Sequence, residues 1–491
     1  MIMENLPALQ VVIPLLSAAI CAVLPSGKVA WGWTAVTCAI AFAISLALFG
    51  QVYHGTPISY AMGGWTPPYG IEYRVDLLNA FILVVISAIA FFSSFYALKS
   101  VQHEIEDSKI PLFYASFLLC FAGLLGITIT NDAFNIYVFL EISSLATYAL
   151  IAMGSDKRAL IASFEYLILG TIGATFILIA IGLLYMMTGT LNISDLAIRV
   201  PSLIHTTPVK ASLAFFTVGL LLKIAVFPLH LWLTNAYTNA PSVVSSFLSA
   251  TATKVSIYVL IKILFIVFGA KLSLIYMSLD KILMVLALFA IVIGSLVAIY
   301  QNNIKRMLAY SSVAQIGYII LGISLVSVSG ISASMIHIFN HAIAKAVLFM
   351  AVGCIFLRVG GVRIPDLNGI ASKMPYTCAA FVAAGLSLIG VPATGGFISK
   401  WYLLSALSEQ GLWPVFAVVI VSSILALIYI WRMVEIMYFK EYIESDNKIT
   451  EAPFMMLLPM WLLAALVFVF GIYTSPVTAS AQKVAKYLFG I

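Results

Sequence analysis

Four lysines stand where a bilayer-spanning helix has no ordinary use for charge: Lys223, Lys254, Lys345 and Lys400. Each lies in a long apolar run, and Glu141, His230, His337 and His341 occupy runs of the same kind. A lysine at mid-membrane costs about 2.5–3.5 kcal/mol on insertion scales, so four represent on the order of 10 kcal/mol that something must offset. Ammonium, carboxylate and imidazole groups share one chemistry in such a setting, the uptake and release of protons. In HIFNHAIAKAVLFM (337–350), His337, His341 and Lys345 recur every fourth residue and so project along one helical face. Two histidines at that spacing can also bind zinc, but a third ligand is needed and no carboxylate or cysteine flanks them, so no metal is expected. A buried carboxylate and a buried lysine each want an opposite charge, which makes Glu141 and Lys223 natural partners across helices. Glu165, in ASFEYLILG (162–170), is about two turns from a span end and is a further candidate.

The elements that must hold these residues are membrane helices. The 491 residues are 63% hydrophobic and 9% charged with a mean hydropathy of +1.10, which excludes a water-soluble domain with a charged surface. Crossing a hydrocarbon core takes about 20 apolar residues. The chain offers fourteen such runs, from 6–25 to 453–475, and predicts an all-α, multi-pass protein of the cell membrane. No basic segment or cleavage site flanks the first run, so 6–25 is expected to be a retained span. The five cysteines read as small apolar residues.

Thirteen of the 25 basic residues, Lys305 and Lys448 among them, fall in loops after odd-numbered spans. Eight fall after even-numbered ones or in the tail, which predicts both termini outside. Lys262 and Lys281 lie near span ends and are expected to snorkel to the headgroups. Lys223 cannot, being fourteen residues from either end of 209–237, about 21 Å along a helix.

Two spans are interrupted. GLLLKIAVFPLHLWL (219–233) places Pro228 in the middle of the seventh, and SLIGVPATGGFISKWYLL (387–404) gathers Pro392, Gly395 and Gly396 in the twelfth. Backbone groups freed inside a membrane must find partners in protein or in a polar cavity, and each interruption adjoins a buried lysine. Paired broken spans suggest two inverted five-helix repeats. The expected organisation is spans 1–3 in 1–109, a first repeat in 110–268, a second in 269–440 and a last span with its tail in 441–491.

VFLEISSLATYALIA, KIAVFPLHLWLTNAYTNAPSVVSSFLSATATK, IKRMLAYSSVAQIGYII, HIFNHAIAKAVLFM and VPATGGFISKW together resemble the antiporter-like subunits shared by respiratory complex I, membrane-bound hydrogenases and Mrp-type sodium/proton antiporters. The resemblance runs from about residue 75 to 440 and is strongest to the D-type subunits of the Mrp antiporters. It implies a proton-translocating subunit with a hydrated polar axis along the membrane midplane. Glu141 matches the fifth-helix glutamate that pairs with the seventh-helix lysine, Lys223; Lys254 matches the eighth-helix relay. His337, His341 and Lys345 match the eleventh-helix polar stripe, Lys400 the twelfth-helix residue near the exit, and His230 extends the same chemistry on the seventh helix. The family often has a lysine where this chain has Glu165, so the sixth-helix role does not transfer simply. The partners implied are other membrane subunits, protons and sodium ions, and the lipid bilayer, with no nucleic acid. The alternative is the homologous pump subunit of a redox complex. A catalytic enzyme is disfavoured, since the chain has no P-loop, dinucleotide fingerprint or cysteine cluster, and no cofactor is expected.

Overall fold

In the computed structural model, which describes residues 3–442 and 449–491, almost the whole chain is helical. Lys448, counted above among the basic loop residues, lies outside the described residues. The first spans are α1 (Leu6–Val23), α2 (Gly27–His54) and α3 (Leu77–Glu104). Between α2 and α3 a hairpin of β1 (Ile58–Ala61) and β2 (Glu72–Val75) caps one face of the bundle. Then follow α4 (Ile110–Ile129), α5 (Ala133–Ala152), α6 (Lys157–Thr188), the short α7 (Ile193–Leu203), α8 (Thr207–Ile224), α9 (Leu231–Asn239) and α10 (Ser242–Ile261). The second half comprises α11 (Leu279–Ile299), α12 (Ile304–Ser324), α13 (Val328–Val359), α14 (Pro375–Ile389), α15 (Gly395–Glu409), α16 (Trp413–Val434), α17 (Phe454–Ile472) and α18 (Ser475–Phe489). Thirteen helices among the described residues are long and apolar enough to cross a membrane. The twelfth expected span is the exception, made of the fifteen-residue halves α14 and α15, so fourteen crossings result.

Both breaks are built alike. α8 stops at Ile224, four residues before Pro228, because Ala225 turns left-handed at φ 64°; α14 stops at Ile389, followed by Gly390 at φ 91° and Ala393 at φ 67°. Left-handed backbone at a non-glycine residue is costly, and it persists here only because the surrounding helices fix it. Proline therefore marks the break without starting it.

The inverted relation of the two halves has a backbone signature. Asp132, which caps α5, bridges Asn192 after α6; Asn303, which caps α12, bridges Arg363 after α13. Each bridge joins residues sixty positions apart. Each is closed by the same pair of bonds: Ala133 N–H to Leu191 O and Ile193 N–H to Asn131 O in one, Ile304 N–H to Val362 O and Ile364 N–H to Asn302 O in the other. The first lies in loops that follow even-numbered spans, the second in loops that follow odd-numbered ones, so the same device sits on opposite membrane faces.

On the hairpin face, Glu72 is the tie between β2 and the helix bundle. Its carboxylate accepts from Ser59 Oγ at 2.6 Å, Asn131 Nδ2 at 2.8 Å and Asn192 Nδ2 at 2.9 Å. Burial alone would raise this carboxyl; the three donors, with Arg74 nearby, outweigh burial and hold it below the usual carboxylate range. A depressed native value means the contribution is complete above the unfolded range and is lost as pH falls through the native one. Removing the carboxylate leaves buried amides unpaired at a cost of about 1–3 kcal/mol. Glu72→Ala should therefore lower the unfolding midpoint in mild detergent at neutral pH, and the wild-type midpoint should fall on acidification more steeply than that of Glu72→Ala. Parallel acid profiles of the two proteins would contradict this.

Candidate functional site

Lys223 is the penultimate residue of α8, buried at the first break. Its Nζ donates to Ser144 Oγ at 2.9 Å and lies 3.7 Å from Glu141 Oε1. Glu141 and Ser144 are three apart on α5 and so present one face to the lysine. The pair is unevenly placed: the Lys223 side chain is 3% exposed and that of Glu141 21%. Space for it comes from Gly170 on α6, where an added Cβ would run into the Tyr148 hydroxyl and stand 3.6 Å from Lys223 Nζ.

The second half of the broken span is locked to α6. The Trp232 indole stacks on Tyr166 with centroids 3.9 Å apart, and its Nε1–H donates to Leu222 O in the last turn of α8, a carbonyl that also accepts from the Ala225 N–H. Asn235 Nδ2 donates to Glu165 Oε2 at 2.6 Å. Glu165 thus fastens α9 to α6. His230 packs against Phe227 and the edge of Tyr310 on α12, and is bonded to neither Lys223 nor Lys254.

From this point a row of packed helices crosses the molecule, α8 on α10, α10 on α13 and α13 on α15. Lys254 on α10 is fully buried, donates to Ser249 O, and lies within Coulombic reach of His337, His341 and Lys345 on α13. Lys345 donates to Leu308 O at 2.7 Å and Ser311 Oγ at 2.5 Å on α12. The His337 and His341 rings stack 5.8 Å apart, and His337 Nδ1 meets Ser399 Oγ of α15 at 2.8 Å. Both nitrogens of His341 and Nε2 of His337 are buried without a bonding partner, so they are open to exchange a proton or bind water. At the far end Lys400 Nζ donates to Leu388 O and Ile389 O, each at 2.9 Å, and to Ser423 Oγ at 3.0 Å, above the Tyr318 ring. It caps the last carbonyls of α14.

Two sequence expectations are corrected. Lys262 does not snorkel: it is 1% exposed and donates to Thr130 O at 3.0 Å and Tyr258 Oη at 3.2 Å, since the C-terminal carbonyls of α4 offer it a nearer partner than the headgroups. Lys305 is not a solvated loop residue; it is buried and donates to Ala240 O at 3.1 Å. Nothing in the sequence around either residue distinguishes these positions from ordinary span ends. The buried lysines among the described residues are therefore six. Five of them donate to main-chain carbonyls, and Lys223 is the one beside a carboxylate.

Residues 130–428 match the family model described as NADH:quinone oxidoreductase/Mrp antiporter, TM. The chain belongs to this family. It is 40% identical to NADH-quinone oxidoreductase subunit N of Desulforudis audaxviator over 98% of each chain. It is 27% identical to the D-type subunit of the Na(+)/H(+) antiporter of Alkalihalophilus pseudofirmus, over 91% of this chain and 89% of that one. Among solved structures, a chain of the Mrp complex from Dietzia sp. DQ12-45-1b superimposes with a TM-score of 0.91 at 25% identity, over 100% of this chain and 98% of that one. The chain is thus a multi-pass, antiporter-like membrane subunit.

The close approach at Gly170 yields a test of the site's packing. Overpacking a filled site costs about 1–3 kcal/mol. Gly170→Ala should displace the Tyr148 hydroxyl and lower the thermal midpoint of the purified protein, whereas Gly182→Ala on the same helix, with nothing within 4 Å, should not. Equal midpoints for the two variants would refute the tight fit.

Proposed function

We propose that this chain is the proton-translocating subunit of a multi-subunit membrane assembly, and that protons move along the row from Glu141 and Lys223 through Lys254 and the His337–His341–Lys345 face to Lys400. The observation that carries this reading is the Lys223–Glu141 pair at 3.7 Å, standing at one end of a line of buried lysines whose other partners are main-chain carbonyls. A carbonyl favours an ammonium through its dipole alone, whereas a carboxylate brings a full charge, so pairing with Glu141 holds the proton on Lys223 more firmly. Separating the pair weakens that hold and releases the proton toward Lys254, a Coulombic effect made strong by the low-dielectric surround. Two imidazoles then bridge α10 and α15. His230 serves the first break from the α12 side, and Glu165 keeps α9 seated while the lysine moves. In this reading residues 110–268 and 269–440 are the two repeats, each contributing one broken span.

The assembly that drives this movement has two readings. One is a monovalent cation (sodium)/proton antiporter, with antiporter subunits as partners, as the 27% identity to the D-type subunit of an Na(+)/H(+) antiporter suggests. The other is a redox complex in which catalysis resides in partner subunits; the 40% identity to a NADH-quinone oxidoreductase subunit N over nearly the full length favours it. Affinity purification of the tagged chain in mild detergent separates them: small antiporter subunits are expected in the first case, iron–sulfur or nickel proteins in the second.

Glu141→Gln and Lys223→Ala should each slow proton translocation in everted membrane vesicles by about a hundredfold or more, the loss typical of a positioned proton-transfer group. Intact translocation in both variants would overturn the proposal.

A further inference from the structure

On the face that carries most of the basic loop residues, a cavity of about 440 Å³ opens between the two halves of the chain. Glu104, Lys305, Asp156, Arg158, Arg363 and Asp366 contribute its charges. Beneath it lies the joint Ala240–Pro241–Ser242, where α9 ends and α10 begins. Two of the charges hold the two sides of that joint. Lys305 Nζ donates to Ala240 O at 3.1 Å, and the Ser242 N–H donates to Glu104 Oε2 at 2.9 Å. A cation thus stands at the C-terminus of α9 and an anion at the N-terminus of α10, each complementing the end dipole it meets. The other oxygen of Glu104 accepts from Ser100 Oγ at 2.8 Å.

From the joint inward, α10 carries a buried hydroxyl edge. Ser242, Ser245, Ser246, Ser249 and Thr253 are each no more than 1% exposed, and the edge ends at Lys254. It is about 18 Å long at about 1.5 Å per residue. Ser242 Oγ has no hydrogen-bond partner although it is fully buried. Ser245 donates to Tyr237 O, Ser246 to Ala346 O and Ser249 to Ser246 O, which leaves each hydroxyl oxygen free to accept. A helix that needed only to pack would carry apolar residues here, since each buried hydroxyl must be satisfied.

We propose that Glu104 and Lys305 form a proton-collecting mouth of this subunit, and that the serine edge of α10 carries protons from it to Lys254. This rests on the proton-translocating function proposed above. It adds an entry that reaches Lys254 without passing Lys223. Glu104 takes a proton from water in the cavity and becomes neutral, which loosens its hold on the Ser242 amide. It then passes that proton to water held at the partnerless Ser242 hydroxyl, and water bonded along the free hydroxyl oxygens of the edge relays it inward. The last transfer converts the neutral amine of Lys254 to ammonium, and Glu104 returns to carboxylate. Lys305 on α12 keeps the mouth compensated while Glu104 is ionised. The other titratable groups around the cavity are the Asp156–Arg158 pair at the start of α6 and Arg363 and Asp366 after α13, with Tyr96 near Glu104 on its own helix.

The test uses everted vesicles from cells that express the complete assembly, so that the basic-rich face meets the bath. Glu104→Gln should slow proton translocation about tenfold in a bath at about pH 8.5, where collection limits the rate, and far less at about pH 6.5. Glu104→Asp should retain most of the rate, and a small weak acid such as formate should restore part of it to Glu104→Gln. A Glu104→Gln variant with the wild-type rate at both pH values would overturn the proposal. So would a loss of equal proportion at both pH values without rescue, which identifies the carboxylate as a helix cap only. Lys223→Ala and Glu141→Gln are run beside it: impairment of both with an unaffected Glu104→Gln overturns the entry alone, whereas normal translocation by both beside an impaired, rescuable Glu104→Gln overturns the Lys223–Glu141 switch and leaves the entry standing.

Discussion

An ammonium inside a membrane has to be given oxygen atoms, and the backbone is the nearest supply. In an unbroken helix that supply is closed, because each carbonyl already accepts from the amide four residues on. Here it is opened in three ways. Lys400 takes the last carbonyls of α14, which the twelfth-span break sets free, and Lys305 takes the last of α9. Lys262 takes the C-terminal end of α4. Lys254 and Lys345 instead share carbonyls, Ser249 O and Leu308 O, within helices. At the twelfth span the break is therefore what gives Lys400 its oxygen atoms, and the left-handed residues of the two breaks, Ala225 and Ala393, show what such an interruption costs in backbone strain.

Against this background the first break differs from the second. Left-handed residues end the first half-helix in both, yet at the first the carbonyl Leu222 O is shared by the Ala225 N–H and the Trp232 indole, and Lys223 turns instead to Ser144 and Glu141. One repeat thus holds its lysine with a carboxylate and the other with dipoles. The two halves, each carrying a matching backbone bridge between residues sixty positions apart, are thus chemically unequal at their breaks.

The sequence showed the central charges because position alone exposes them: no loop is near enough to Lys223, Lys254 or Lys345 for their ammonium groups to reach water. It could not show Lys262 and Lys305, since a lysine near a span end looks the same whether it reaches the headgroups or turns inward onto another helix, and only tertiary packing decides. The breaks were legible through Pro228, Pro392 and the glycines, though α8 ends four residues earlier than its proline suggests because the turn is made at Ala225. The β1–β2 hairpin escaped notice: its strands are four residues long, and the carboxylate that fastens it, Glu72, finds its partners Asn131 and Asn192 about 60 and 120 positions away. Glu165 could be singled out, but its partner Asn235 lies on the far side of the break. The tail after the last span folds into α18, whose buried face packs on α13 and α3, a contact that composition does not reveal.

The central claim is that Glu141 and Lys223 act as one unit in moving protons. A double-mutant cycle on proton translocation in everted vesicles measures this directly, with Glu141→Gln, Lys223→Ala and the double variant compared in the same assembly. If the pair works as a unit, the double variant is no slower than the slower single variant, because either substitution already removes the switch. Multiplying losses, with the double variant slower by the product of the two single effects, would contradict the account.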